Sequence, residues 1–422
     1  MICACTPVLK PGLAIALIGL VVCSAAVSYS GEVERAVSPT IEQLAERIEK
    51  AKPVEVEAII SGFIEEHRGD FPLIEGDLVT FVYNGEVALR ATVPSDINRW
   101  DTKAHEMERL DQSDLHYLTL RLPRDARIDY KFYVDGMWMM DPLNDKTVSG
   151  GFGPNSAFSM PDYEPSPEIE YVDSLPHGTL ETHEFESEII AGARKVQVYL
   201  PSSYRALITQ EVALLDGGGE ERTEPRFAGT YPVIFVQDGG EYITLGSMAN
   251  VLDYVIAHEL VPPMVAVFVD PLDRNYEYFL NKDYERMVVD EIVPLIRESY
   301  DVSVKPESNA IMGASLGGAI SVMIALNHPD MFGNCGSQSG AFGINDGELI
   351  KRVASEPKRD VDFYLDCGTF GDLLEENRRM KKVMEEQGYP LMYREFNQGH
   401  SWGNWRVHID DMLVFFWGKE AK

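Results

Sequence analysis

Cysteine is nearly absent from the body of this sequence. Of five in 422 residues, Cys3, Cys5 and Cys23 lie close to the start, leaving Cys335 and Cys367. Two such residues make no disulfide framework and are expected as buried free thiols. Basic charge is scarce as well: 37 Lys and Arg stand against 68 Asp and Glu, a formal net charge of −31. Nucleic acid and anionic membrane both demand a cationic face, so neither is expected as a partner. The apolar run at residues 12–22 is only eleven residues long, too short for a comfortable membrane span. Metal-ligand spacing, a phosphate-cradling loop and a dinucleotide fingerprint are all lacking, so neither a cofactor nor a metal is expected.

What is present divides the chain into five stretches. In residues 1–26, Lys10 is the only charged side chain, and Ser24, Ala25 and Ala26 follow the apolar run. That is the shape of a secretory signal, which would place the protein in the periplasm or outside the cell. A retained anchor is the alternative. Cys23 also hints at a lipoprotein, although Val22 is bulky where a small residue is wanted. Residues 27–70 form a helical preface, with Ser38 as N-cap, Pro39 at the first helical position and Glu42 in the first turn. A second helix is expected over 54–67.

Residues 71–160 change to a period of two. Leu78 to Tyr83, Ala88 to Ala91, Tyr117 to Leu122 and Tyr130 to Val134 read as strands, punctuated by hairpin turns at Asn84-Gly85 and Asp135-Gly136. Short strands so spaced predict an immunoglobulin-like β-sandwich. Residues 161–184 are rich in proline and acid and read as a linker. In residues 185–422 strand-like runs alternate with helical ones at 248–257, 283–300, 319–327, 373–386 and 405–416. This predicts an α/β domain, a mainly parallel sheet with helices on both faces. Residues 207–229, with Gly217-Gly218-Gly219, read as a surface insertion.

The second domain contains Gly313-Ala314-Ser315-Leu316-Gly317-Gly318. This G-x-S-x-G spacing sets a serine on a strand-to-helix turn too sharp for a Cβ two residues either side. A serine hydroxyl needs a base, and the base needs an acid to orient it. Of the histidines after Ser315, His328 ends the helix leaving the turn and His408 sits within the last helix. His400 lies in the loop before that helix, at the carboxyl end of a strand, where this architecture puts function. The acid is sought near Gly368-Thr369-Phe370-Gly371-Asp372. Asp372 stands between turn and helix, Asp366 falls within the strand, and Glu375 and Glu376 read as first-turn residues; the choice stays open. For the oxyanion, Leu316 N–H supplies one donor, and Gly239 or Gly240, after the 233–236 strand, supplies the second.

Several of these pieces match known families. Residues 194–422 resemble the esterase D and enterochelin esterase group, which includes feruloyl and acetyl-xylan esterases and mycolyltransferases. The resemblance rests on Val198-Tyr199-Leu200-Pro201, Asp238-Gly239, Arg274 with Glu277-Tyr278, the serine turn, Gly368-Thr369, and Gly399-His400-Ser401-Trp402 with Trp405. It implies an α/β-hydrolase fold, a Ser-His-acid triad, and substrate contacts at Arg274, Trp402 and Trp405. Related sequences often carry an acid directly after Gly-Thr-x, where this chain has Gly371. The first domain resembles the early-set domains that bind starch and glycogen, through Asn98-Arg99-Trp100, Tyr130-Lys131-Phe132, Asp135-Gly136-Met137-Trp138, Asp141-Pro142 and Asn155-Ser156. By that likeness Trp100 and Trp138 would stack on sugars while Lys131 and Asn155 bond to hydroxyls; packing or docking roles are the alternative. The expectation is a secreted serine esterase acting on carbohydrate or phenolic (feruloyl or acetyl) esters. A siderophore esterase is the alternative, although an anionic siderophore would need a local basic pocket built from Arg274, Arg286 and Arg406. An inactive glycan-binding protein is the rival from another class.

Overall fold

The computed structural model describes residues 33–204 and 231–419. The expected signal segment and the whole of the expected insertion at 207–229 lie outside the described residues. The preface helices are Pro39–Glu49 and Pro53–Glu66. Ser38 caps the first, its hydroxyl accepting the Ile41 N–H at 3.2 Å. One face of each helix (Ile41, Leu44, Ile48; Val56, Ile60, Phe63) is buried against Phe71, Leu73, Val82 and Leu115 of the following domain. Each such side chain contributes roughly 1.5–3 kcal/mol when fully buried. The preface is therefore part of that domain's core.

The next stretch is built of small antiparallel sheets. Leu73–Glu75, Leu78–Asn84, Leu115–Arg121 and Glu108–Arg109 adjoin in that order. Arg127–Tyr130, Asn155–Ser159 and Thr147–Val148 form a second sheet; Ala91–Thr92, Phe132–Val134 and Met137–Met139 form a third. Asp135-Gly136 makes the expected tight turn, both residues at positive φ (50° and 92°). Two readings are corrected. The strand expected over 88–91 shrinks to Ala91–Thr92, because the Asp135 carboxylate accepts the N–H groups of Ala88, Leu89 and Arg90 at 2.7–3.1 Å and draws that backbone out of any ladder. Asn84-Gly85 is no hairpin turn: Leu78–Asn84 pairs with the distant Leu115–Arg121 instead.

The larger sheet has eight strands: β1 (Thr179–Glu186), β2 (Ala193–Leu200), β3 (Val233–Gln237), β4 (Val265–Val269), β5 (Asn309–Ala314), β6 (Asn334–Gln338), β7 (Asp362–Gly368) and β8 (Leu391–Phe396). Their order is β1-β2-β4-β3-β5-β6-β7-β8. From β4 to β8 every pairing is parallel, while β1 and β2 run antiparallel. Both faces are buried. Val233 and Phe235 enter one core with Ile320 and Ile296, while Ile234 and Val236 enter the other with Val251 and Leu413. This is why β3, β4 and β5 read as continuous apolar runs. Cys335 and Cys367 are buried and unpaired, as expected.

Three elements differ from expectation. β1 begins inside the stretch read as a linker; its alternating residues are exposed, so it lacked an apolar signal. β6 reads Asn-Cys-Gly-Ser-Gln, with little β-branched character. Its Gly336 faces the Met412 thioether so closely that a Cβ would meet sulfur at 2.1 Å. The helix expected over 283–300 is broken by a π-helical turn at Met287–Ile292. Pro294 follows at the second position of the next segment, where it has no N–H to give and crowds the carbonyl four residues back.

Candidate active site

β5 delivers Ser315 to the carboxyl edge of the sheet, and the helix Leu316–Asn327 leaves directly after it. Ser315 has φ 57° and ψ −119°, outside the ordinary regions for a residue with a side chain. Its neighbours explain why such a turn is possible. A Cβ on Gly313 would stand 2.5 Å from the Gly317 backbone, and one on Gly318 would stand 2.3 Å from Ser337 Oγ. The strained residue, worth about 1–3 kcal/mol in cost, is tied down by its N–H donating to Gln338 O at 2.9 Å.

His400 Nε2 lies 3.1 Å from Ser315 Oγ, and His400 Nδ1 lies 2.7 Å from Asp372 Oδ1. Both spacings are within hydrogen-bond reach. Asp372 also accepts Leu373 N–H on Oδ1 at 2.6 Å, and Gly368 N–H and the Ser339 hydroxyl on Oδ2 at 2.7 and 2.6 Å. Burial is the strongest influence on its carboxyl and would raise the pKa. His400, Ser339 and the Leu373 N–H together nevertheless hold it below the usual carboxylate range. Asp366 behaves oppositely. Burial pushes its carboxyl well above the usual range, and Gln338 Nε2 donates to it at 3.0 Å. Its side-chain partner is Gln338, and no hydrogen bond joins it to His400.

The other histidines are engaged elsewhere. His328 pairs with Glu285 at 2.8 Å; His408 is stacked on Phe396 and bonded to Gln398 at 3.0 Å. Burial lowers the His408 pKa to about 3. Leu316 N–H opens its helix, so no turn of that helix can use it. Gly240 is corrected as an oxyanion donor, because its N–H goes to Asp270 Oδ1 at 2.7 Å. Gly239 remains of the expected pair. Arg274 lies beside the serine turn with its guanidinium forked onto Asp238, at 2.8 Å from each oxygen, and Nη2 also reaching Ala314 O at 3.3 Å.

A cleft of about 850 Å³ opens over Ser315 and His400, and its far wall belongs to the sandwich. Trp100, Lys131, Trp138 and Asn155 all line it, together with Phe152. Trp138 is 48% exposed and Phe152 wholly so. Asn155 donates to Asp129 at 3.4 Å, so that amide is partly engaged within its own domain. Trp402 and Trp405 also border the cleft, but both are largely buried. Trp402 N–H reaches Glu241 at 3.3 Å; Trp405 N–H reaches Ser339 Oγ at 3.0 Å while its ring stands edge-on to His400. Their contacts are those of residues that hold the site's shape. Arg286 pairs with Asp283 and Asp290 on its own helix, and Arg406 is not among the cleft-lining residues.

Sequence reasoning missed Ser339, Phe152 and Asp96. Ser339 carries φ 47° immediately after β6, a strand that was itself unread. Phe152 sits in Ser149-Gly150-Gly151-Phe152-Gly153-Pro154, where one large apolar residue among glycines was the available signal. Among the described residues no cluster of side chains suited to a metal occurs. Nor is any helix among them long and apolar enough to cross a membrane.

In comparison with known proteins the chain is similar to esterases. Residues 223–416 match the model of a family described as putative esterase. Iron(III) enterobactin esterase of Escherichia coli is 24% identical over 301 residues, 66% of this chain and 67% of its own. An endo-1,4-beta-xylanase/feruloyl esterase of Xylanibacter ruminicola is 26% identical over 208 residues, 47% of this chain but only 26% of that protein. The crystal structure of ferric enterobactin esterase from Salmonella typhimurium aligns with a TM-score of 0.67 at 20% identity, covering 81% of this chain and 93% of that one. That last likeness is one of fold.

Proposed function

We propose that the chain is a carboxylic ester hydrolase of the esterase D and enterochelin esterase-like family that works through Ser315, His400 and Asp372 on esters carrying a flat ring. The observation behind this reading is the hydrogen-bonded run from Ser315 Oγ through His400 to Asp372, at 3.1 and 2.7 Å, opening into the aromatic cleft. Ser315 Oγ attacks the ester carbonyl while His400 Nε2 takes its proton. The tetrahedral oxyanion is met by Leu316 N–H and, from the β3 side, Gly239 N–H. Collapse expels the alcohol, which receives the proton from His400. Water, giving a proton to His400, then attacks the acyl-enzyme; the acyl–Oγ bond breaks, the acid leaves, and His400 returns the proton to Ser315 Oγ.

A fluorophosphonate ester tests the nucleophile. We expect a single covalent adduct, on the peptide containing Ser315, with hydrolysis lost in step. An adduct elsewhere, or activity that survives full labelling, overturns the assignment.

For the substrate, Trp100, Trp138 and Phe152 offer flat apolar surfaces suited to a phenolic ring or a sugar face. A phenolic ester such as a feruloyl conjugate of a carbohydrate fits them. A catecholate lactone of siderophore type is the second reading. It is favoured by the sequence similarity to iron(III) enterobactin esterase over 66% of this chain and by Lys131 and Arg274 bordering the cleft. With p-nitrophenyl esters, Trp138→Ala is expected to lower kcat/KM for the feruloyl ester by about tenfold, the scale of one lost stacking contact, and to leave the acetyl ester unchanged. Equal losses on both would remove the ring-binding role. A panel of feruloyl, acetyl and catecholate-lactone substrates separates the two readings. Export is proposed on the apolar segment at residues 12–22 alone.

A further inference from the structure

The sandwich does more than wall the cleft. Its residues 95–100 rest on both loops that carry the partners of Ser315. Asp96 opens the short turn Asp96–Asn98 and is 2% exposed. Its Oδ2 accepts Asp129 N–H at 2.9 Å and the Ser401 hydroxyl at 3.3 Å; its Oδ1 accepts the Trp100 indole N–H at 3.3 Å. Gly399, just before His400, has no room for a side chain, since a Cβ there would lie 2.3 Å from Asp96 Cβ. Gly371, just before Asp372, is the same: at φ +53°, its Cβ would lie 2.3 Å from Asp96 O. Arg99 donates to Asp372 O at 3.4 Å. Two further bonds join the domains here, Arg127 N–H to Asn397 O at 3.1 Å and Asn397 Nδ2 to Asp125 at 2.8 Å. The histidine loop is thus held from the sandwich at residues on both sides of His400.

We propose that Asp96 is a positioning residue for hydrolysis, fixing the His400 loop and the cleft wall at Trp100 in one arrangement; this rests on the Ser315–His400 reading above. Within its own domain the loop is held by Asn404 Nδ2 on Gly399 O and Phe370 N–H on Gln398 O, each at 3.0 Å, by Thr369 on Asn397 at 2.8 Å, and by Asn404 and Trp405 N–H on Ser401 O. Among the described residues, only Asp96 bonds the residue after His400 from the other domain. A shift of about 1 Å between base and nucleophile is enough to cost about a hundredfold in rate.

The charges around Asp96 give the proposal a distinctive readout. Asp129 and Arg127, ion-paired at 2.9 Å, face it from the strand Arg127–Tyr130. Arg99 lies on its own turn, His400 on the loop beneath, Asp372 on the acid loop, and Arg406 beyond Arg127. Burial first, then Asp129, raise the Asp96 carboxyl to about 8 against the opposing pull of Arg127. The acid is therefore mostly protonated at neutral pH, so an amide matches its charge: the amide oxygen keeps Asp129 N–H and the Ser401 hydroxyl, while its NH2 faces the Trp100 indole N–H and gives up that bond. Because the folded-state pKa is raised, its contribution to stability is complete below the ordinary carboxylate pKa and is lost as pH climbs through about 8. Above that value a second negative charge beside Asp129 loosens the seat of the histidine loop.

The test uses the whole protein and p-nitrophenyl acetate, whose small acyl group makes no demand on the aromatic wall. Asp96→Ala is expected to lower kcat by about tenfold to a hundredfold with KM within about twofold. Asp96→Asn should restore kcat near neutral pH and lose the parent's fall in kcat above about pH 8. If Asp96→Ala does not fold, the pH profile of Asp96→Asn decides alone. Parental kcat in a folded Asp96→Ala, or an alkaline fall unchanged in Asp96→Asn, overturns the proposal. Ser315→Ala run alongside keeps the two questions apart: a fully active Ser315→Ala sinks the nucleophile, whereas an inactive one with an unaffected Asp96→Ala sinks only the positioning role.

Discussion

Ser315→Ala is expected to lower kcat on p-nitrophenyl acetate by about a millionfold while the protein folds as before. The size follows from what the substitution removes. Oγ is the atom that forms the covalent bond, and it is the group that His400 Nε2 approaches at 3.1 Å. No other hydroxyl among the described residues contacts that nitrogen, so no neighbour takes over the attack. Hydrolysis about a thousandfold faster than in water should remain, because the Leu316 N–H and the cleft still receive the ester. Stability is expected to stay within about 0.5 kcal/mol of the parent. The bond that anchors the turn is made by the Ser315 backbone N–H, which alanine keeps, and both residues bear the same cost at φ 57°. The measurements are a progress curve and a thermal melt. A rate equal to the parent's, from protein that melts with the parent, would refute the nucleophile.

How far the sequence carried the reading depended on which forces were local. The serine turn was legible because its requirements are local: small residues two before and two after, an apolar strand ahead and a helix behind. β3, β4 and β5 were legible because both faces are buried, which forces an unbroken apolar run. β6 was not, since Gly336 is set by the Met412 thioether lying across it, and such a demand leaves no periodic trace. β1 escaped notice for the opposite reason: as an exposed edge strand it needs little apolar surface. The place where related sequences put an acid holds Gly371 here, and the structure gives the physical reason. A side chain there would collide with Asp96 O, a residue from the other domain. The same separation hid the cleft. Trp100 and Trp138 could be matched to a sugar-binding pattern, but only the packing of the two domains puts them in one cleft with Ser315. Contacts between residues so far apart in sequence leave no signal in spacing or composition.

The acid is the member of the site for which sequence left alternatives, and paired amide substitutions separate them. Asp372→Asn is expected to lower kcat by about ten thousandfold, the cost of an imidazole held in the wrong tautomer. Asp372 works here purely as an acceptor. His400 and Leu373 N–H donate to Oδ1, while Ser339 and Gly368 N–H donate to Oδ2. An asparagine must turn its NH2 toward one of these pairs. Facing His400, it needs Nδ1 as an acceptor, which moves the ring proton to Nε2 and leaves nothing to take the proton from Ser315. Facing Gly368, it sets donor against donor at a buried N–H, costing about 1–3 kcal/mol for each unmet group. A lower melting temperature is therefore expected together with the lost rate. Asp366→Asn should do neither, leaving kcat within about twofold. Its carboxyl is held well above the usual range by burial, which favours the neutral form, and the amide keeps the acceptor for Gln338 Nε2. The reverse pattern, Asp366→Asn inactive and Asp372→Asn near parental, would transfer the role to Asp366. Losses of equal size in both would mean that the buried Gln338–Asp366 bond, rather than the acid beside His400, sets the geometry of this edge of the sheet.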